Sequence, residues 1–465
     1  MADTILIDDY AKATAGELVA ALAKRQVSAV ELADAAIARI ERFDGPINAV
    51  VVRDFDRARQ AAKAADQALA RGERGPLLGL PMTVKEAHNV AGLPTTWGAA
   101  MFKDWIAPTD SIGVARLKAA GAVILGKTNV PPFLADWQSD NPVYGRTNNP
   151  WDLGRSPGGS SGGSSAALAT GMVPLEFGSD IGGSIRVPAA FCGLYGHKPS
   201  HDLIPQRGHA PPGIDGDGVP LAVIGPMARS AADLELALDV LAGPPPEQAV
   251  GYRLALPPAR HARLADYRVL MLTHHPLAPV DEEIVAALDA LASRLEAAGA
   301  QVARQSPLLP DLAAAHGVYM SLLGPLMAPP EAISGPGAPP VGAWFAAAFA
   351  QTNFRRAWAA LFETVDVVIA PVFGSPAFLH DNSPDTQTRL LTINGQPTAY
   401  FGQLAWPGMA TLANLPATAA PIGQTRTGLP IGAQIIGPYL EDRTTIGFAG
   451  LLEREFGGFK APPGY

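Results

Sequence analysis

The chain opens on a helical rhythm. Ser28 followed by Glu31 makes a capping-box pattern ahead of SAVELADAAIARIERF, and DFDRARQAAKAADQALARG runs to a glycine stop at Gly72, so residues 1–72 read as a helical N-terminal layer. From Leu80 the pattern changes. Short apolar runs (LPMTV, AVIL, MVPLEF, RVLML, DVVIA and PIGAQII) alternate with helical windows such as SIGVARLKAAG, SAADLELALDVLAG and DEEIVAALDALASRLEAAG. Strands interleaved with helices predict an α/β layer fold around a largely buried sheet. No internal repeat and no linker divides the chain, so the Pro/Gly-rich stretches near 201–220, 324–340 and 371–386 read as long loops of one large domain, bordering its site.

Composition narrows the function classes. Of 465 residues, 48% are hydrophobic and 17% charged, which suits a folded protein with a large core. The net charge of -8, from 35 basic and 43 acidic residues, offers no concentrated basic face, so neither nucleic acid nor an anionic membrane is an expected partner. The single cysteine, Cys192, reads as a small buried residue; it permits no intramolecular disulfide, and a cytoplasmic location is expected. The N-terminus carries acids where a secretory leader has its basic region. Apolar stretches at 312–329 and 341–362 are broken by His316, Ser321 and Pro325 or by Gln351, Arg355 and Arg356, which argues against membrane spans. His274, His275 and the scattered remaining histidines lack metal-ligand spacing, so no metal and no other cofactor is expected.

The chemistry concentrates in SPGGSSGGSSAA (Ser156 to Ala167) and GSDIGGSIRVP (Gly178 to Pro188). Two Gly-Gly-Ser turns, each entering a small-residue segment, bring backbone N–H groups and hydroxyls close to a ligand with anionic character. A flexible linker has no reason to lie beside such strand-like runs. Gly121, Gly126, Lys127 and Thr128 formally match a phosphate loop, but Ala122 to Leu125 are themselves the strand that should precede it. Gly158 to Gly162 formally match the G-x-S-x-G elbow of an α/β-hydrolase esterase. That elbow needs an apolar strand before the serine, where TNNPWDLGRSP supplies turns.

A third reading fits better. The chain resembles the amidase signature family from about Leu80 through the glycine-serine segment to GPMARSAADLELALDVLAGP (Gly225 to Pro244), and again in LPIGAQIIGP (Leu429 to Pro438). Lys85 stands in PMTVKEAHNV, Ser160 follows Gly-Gly, and Ser184 follows Asp-Ile-Gly-Gly; the separations of 75 and 24 positions look like the family spacing. The resemblance implies one amidase domain over residues 1–465, with a central mixed sheet covered by helices on both faces. Within it, 80–244 forms the signature core, and 245–465 completes the sheet, helices and substrate loops.

It also implies roles. Ser184 would be the nucleophile, Ser160, preceded by a cis peptide after Gly159, the proton relay, and Lys85 the base. The N–H groups of Ile181, Gly182, Gly183 and Ser184 would form the oxyanion hole, with Asp180 holding the turn and Arg186 bracing it. These parts meet the needs of amide cleavage: an activated nucleophile, oxyanion stabilisation and a proton for the departing nitrogen. Lysine serves as a base only when neutral, so burial must lower its usual pKa of about 10.4. Trp137, Phe133 and Tyr144, with Trp97 and Trp406, are candidates for a substrate pocket. Glu86 stands where the family commonly has aspartate, Ser165 where alanine is frequent, and Phe133 with Pro131 and Pro132 replaces a commoner acidic stretch. The apolar stretches SLLGPLMAPP (Ser321 to Pro330) and GHAPPGIDGDGVPLAVIG read as substrate loops for a neutral apolar or aryl amide, with carbamates (urethanes) and esters open to the same acyl-enzyme chemistry. The rival within the family is the A subunit of a tRNA-dependent glutamine amidotransferase. That subunit is expected to carry an acidic residue and an arginine on its substrate side, and the matching YFGQLAWPGMATLANLP (Tyr400 to Pro416) has no acid. A stand-alone hydrolase, monomer or homodimer, is therefore favoured.

Overall fold

The computed structural model describes residues 10–465 apart from 215, 329–333, 335–337, 339 and 384, so the first nine residues, which carry the N-terminal acids weighed against a secretory leader, and part of the 324–340 stretch lie outside it. The N-terminal layer forms as its caps dictate. Ser28 Oγ accepts the Glu31 N–H (3.1 Å) while Glu31 returns a carboxylate to the Ser28 N–H (2.8 Å), opening the helix Ala29–Ile47. The next helix, Phe55–Ala70, stops just before Gly72, which takes the left-handed backbone (φ 87°) open to glycine.

One correction falls within this layer. Between the two helices the chain forms a strand, β1 (Val50–Arg53). Pro46 and the left-handed Asn48 end the first helix, and the β-branched run Val50-Val51-Val52 then favours extension.

The remaining strands are β2 (Pro81–Lys85), β3 (Val123–Thr128), the two-residue β4 (Asp140–Asn141) and β5 (Gly145–Arg146), β6 (Leu175–Asp180), β7 (Tyr195–Lys198), β8 (Val223–Ala228), β9 (Arg268–Met271), β10 (Gln301–Ala303), β11 (Val367–Pro371), β12 (Leu390–Ile393), β13 (Gln396–Ala399), β14 (Ala417–Gln424) and β15 (Pro430–Ile436). Eleven of them form one mixed sheet in the order β1-β3-β2-β6-β8-β7-β14-β15-β11-β9-β10; β4 pairs with β5, and β12 with β13, as separate hairpins. The sheet has parallel blocks, β3-β2-β6 and β11-β9-β10, on either side of an antiparallel centre.

Alternation along β6 shows how both faces are covered. Phe177 points to the helices Ile112–Ala119 and Ala231–Leu241, since a side chain at Gly113 would collide with its ring and approach Leu241. Gly178 points the other way, toward Ser161 and Ile185, which precede the helices Gly162–Ala169 and Arg186–Cys192. The site is built on that second face. The expected loop at SLLGPLMAPP is also corrected. Its first seven residues complete the helix Leu312–Met327, which Asp311 caps by accepting the Ala313 and Ala314 N–H groups, and Pro325 enters only in the last turn. No helix among the described residues is long and apolar enough to cross a membrane.

Candidate active site

Lys85 is the last residue of β2 and has no exposed surface. Its Nζ donates to Ser160 Oγ at 2.6 Å, to Ser161 and Ser179 Oγ at 2.9 Å each, and to the Ser179 carbonyl at 3.5 Å. No carboxylate forms an ion pair with it among the described residues. Burial therefore pulls its pKa down to about 7, although the charges of Asp180 and Glu176 work in the opposite direction. Glu176, side by side with Thr83 across β2 and β6, is pushed up to about 7 by its own burial despite accepting the Thr83 hydroxyl at 2.5 Å.

The peptide bond between Gly159 and Ser160 is cis. Gly159 abuts the Asp136–Trp137 backbone so closely that any side chain there would overlap it, and the helix Gly162–Ala169 follows at once. The second serine, Ser184, is buried where the turn after β6 runs into the helix Arg186–Cys192, and its carbonyl accepts the Ser161 N–H (3.2 Å), joining the two glycine-rich turns. Among the described residues no hydrogen bond runs between the Ser160 and Ser184 hydroxyls.

Asp180 organises the Ser184 turn. It accepts the N–H groups of Gly183 (2.9 Å), Ile185 (3.1 Å) and Arg186 (3.3 Å), and it forms a two-pronged ion pair with the Arg186 guanidinium at 3.0 and 2.9 Å. Burial alone would raise its pKa, but Arg186 and the N–H donors hold it at about 2. Arg186 also reaches the Pro407 carbonyl, Thr411 and Gln434, so its charge is used wholly inside the protein. Because the Gly183 N–H is given to Asp180, the turn presents three N–H groups without a protein acceptor among the described residues, those of Ile181, Gly182 and Ser184.

The structure separates the aromatic candidates. Trp137 alone touches the turn, its Nε1 donating to the Gly182 carbonyl at 3.0 Å. Phe133 is largely exposed and meets Phe102; Tyr144 is half-buried with its hydroxyl on Glu86; Trp97 bonds Glu86 and Ala87; and Trp406 is wholly buried. Lys127 and Thr128 lie inside β3, with Lys127 Nζ on Thr95 Oγ1 (2.7 Å) and the Pro94 carbonyl, so the formal phosphate-loop match is sheet interior. Ser160 follows irregular chain rather than a strand, and no histidine is hydrogen-bonded to either serine among the described residues. Cys192 is buried, its thiol pushed up to about 12 by burial. No group of three or more His, Cys, Asp or Glu side chains placed to hold a metal occurs among the described residues. Sequence reasoning missed Ser161 and Ser179, whose only signal was adjacency to the two turns, and Tyr319, which donates to the Ile181 carbonyl (2.8 Å) from 138 positions away with no local signal at all.

The family model described as Amidase matches residues 31–324 and 341–446. The chain belongs to the amidase family. The A subunit of a glutamyl-tRNA(Gln) amidotransferase from Anaeromyxobacter sp. (strain K) is 33% identical, with 96% of this chain and 97% of that protein covered. A fatty-acid amide hydrolase 2-A from Danio rerio is 32% identical, covering 97% and 90%. Among solved structures, a bacterial aryl acylamidase of the amidase signature family superposes with a TM-score of 0.84 at 25% identity, over 97% of this chain and 99% of that one. The amidase fold is thus shared along nearly the whole chain, while the names of its relatives include an amide hydrolase, an aryl acylamidase and a subunit of an amidotransferase.

Cutting the buried Asp180–Arg186 pair leaves a charge without a partner in a water-free place. Arg186→Met is expected to cost about 3–5 kcal/mol, read as a fall in the urea midpoint of unfolding, whereas Arg59→Met, at an exposed ion pair with Asp34, costs about 0–1 kcal/mol.

Proposed function

We propose that this amidase is a stand-alone hydrolase of neutral apolar or aryl amides, with carbamates (urethanes) and esters as further substrates, working through a Ser184 acyl-enzyme. The carrying observation is the Lys85 amine, sealed from water, with burial pulling its pKa down to about 7, and in contact with three serine hydroxyls and, among the described residues, no carboxylate. Neutral Lys85 draws the proton of Ser160, which draws that of Ser184, and Ser184 Oγ attacks the carbonyl carbon. The oxyanion is received by the Ile181, Gly182 and Ser184 N–H groups, and the proton returns through Ser160 to the departing nitrogen. Water then repeats the attack on the acyl-enzyme. Ser160 and Ser184 come into hydrogen-bonding reach as substrate settles between them.

Substrate character follows from the wall beside the turn. Ile181 and Leu404 pack with Tyr319, Leu322, Leu323 and Leu412 in one apolar cluster. The Tyr400 to Pro416 stretch, without an acid, supplies Leu404 and Pro407 directly against Gly182 and Gly183, which favours a neutral substrate over glutamine and a free-standing enzyme over an amidotransferase component.

A fluorophosphonate is expected to label the peptide containing Ser184, and Ser184→Ala to abolish hydrolysis of an aryl anilide. Label on Ser160, with Ser184→Ala active, would exchange their roles. Because Lys85 has a depressed pKa, raising the pH converts it to the neutral base, so kcat/KM rises through about pH 7 and levels off about one unit above it. The limb should be absent in the residual activity of Lys85→Ala. Purified alone and run on size-exclusion chromatography, the protein is expected to hydrolyse anilide, aryl carbamate and ester; activity confined to glutamine in the presence of partner subunits would reverse the assignment.

A further inference from the structure

In a trans peptide the carbonyl and the N–H point in opposite directions, so a donor that captures the carbonyl fixes where the N–H aims. The Ile181-Gly182-Gly183 turn is held in this way from two sides. Tyr319 Oη donates to the Ile181 carbonyl (2.8 Å), fixing the plane that carries the open Gly182 N–H. Trp137 Nε1 donates to the Gly182 carbonyl (3.0 Å), fixing the plane that carries the Gly183 N–H on Asp180. Two successive glycines would otherwise turn over readily. Both donors are themselves held. Tyr319 is fully buried, with its ring against Gly408. Trp137 gives its backbone N–H to Tyr400 Oη (3.2 Å), Tyr400 donates to Asp136 Oδ1 (2.6 Å), and Arg389 pairs with Asp136 Oδ2 (2.5 Å). Phe373, Tyr400 and Phe401 enclose the indole at ring-centre distances of 4.8, 5.1 and 5.7 Å.

We infer that Tyr319 and Trp137 are positioning residues that lock the peptide planes of the oxyanion turn, with the Asp136–Tyr400–Arg389 cluster fastening Trp137; this rests on the reading of Ser184 as nucleophile. Trp137 is thereby moved from the substrate pocket to the frame behind it.

Tyr319→Phe and Trp137→Phe each keep an aromatic ring and remove the donor. With an aryl anilide, each is expected to lower kcat by about tenfold or more, short of the roughly 10²–10³ lost with a direct oxyanion donor. KM should change less than about threefold, and affinity for an arylboronic acid, whose tetrahedral serine adduct places an oxygen at the turn, should fall in step with kcat/KM. A role in stability alone would lower the thermal midpoint without this parallel loss. Wild-type kcat and boronate affinity in both variants, with Ser184 labelled by fluorophosphonate, overturns the inference alone. Wild-type protein that is not labelled at Ser184 overturns the nucleophile assignment and the inference with it. Should Trp137→Phe not fold, Asp136→Asn, which loosens the anchor from outside the turn, is read by the same criteria.

Discussion

The ion pair between Asp180 and Arg186 is the constraint on which the site depends. Both groups are sealed from water, where an unpaired charge is not tolerated, so each must be satisfied completely. Asp180 meets that demand by gathering three N–H groups of the following turn, and Arg186 by reaching two elements far along the chain. The shape of the Ser184 turn is the by-product of neutralising a buried carboxylate. The same pairing keeps Asp180 committed to Arg186, so its pull on the lysine proton is outweighed by burial.

Small side chains let the lysine be buried without being charged. Gly178 stands opposite Lys85 on the same sheet face, and Ser161 comes close to it, so the space around Nζ is filled by hydroxyls of short reach. A larger side chain at Gly162 or Gly163 would strike Ser139 or the Asn129 backbone and lift the helix off the sheet. The run of Gly, Ser and Ala is therefore a packing requirement as much as a chemical one.

The sequence made strands legible where apolar runs were continuous and rich in β-branched residues: LPMTV, AVIL and DVVIA became strands of the parallel blocks, and PIGAQII a strand of the antiparallel centre. It concealed β7 (YGHK) and β14 (ATAAPIGQ), whose polar or small residues lack that signature and become strands because neighbours on both sides complete their ladders. Lys85, Ser160 and the Ser184 turn were legible from local motifs. Two details were not: Gly183 spends its N–H on Asp180, and the indole of Trp137 faces the turn's carbonyl. Both follow from three-dimensional hydrogen-bond accounting that spacing does not encode.

The reach of Arg186 bears on how the molecule is assembled in time. Its partners Thr411 and Gln434 lie 225 and 248 positions later, on a helix and on β15 in the antiparallel centre of the sheet. Contacts of such sequence separation close late, because the intervening chain must be ordered first. Lys85 and both glycine-rich turns emerge well before residue 434, yet a chain still growing lacks the groups that complete Arg186. Maturation of the Ser184 turn is in this way timed to completion of the sheet, and a truncated or half-folded copy carries the motif without the fixed geometry.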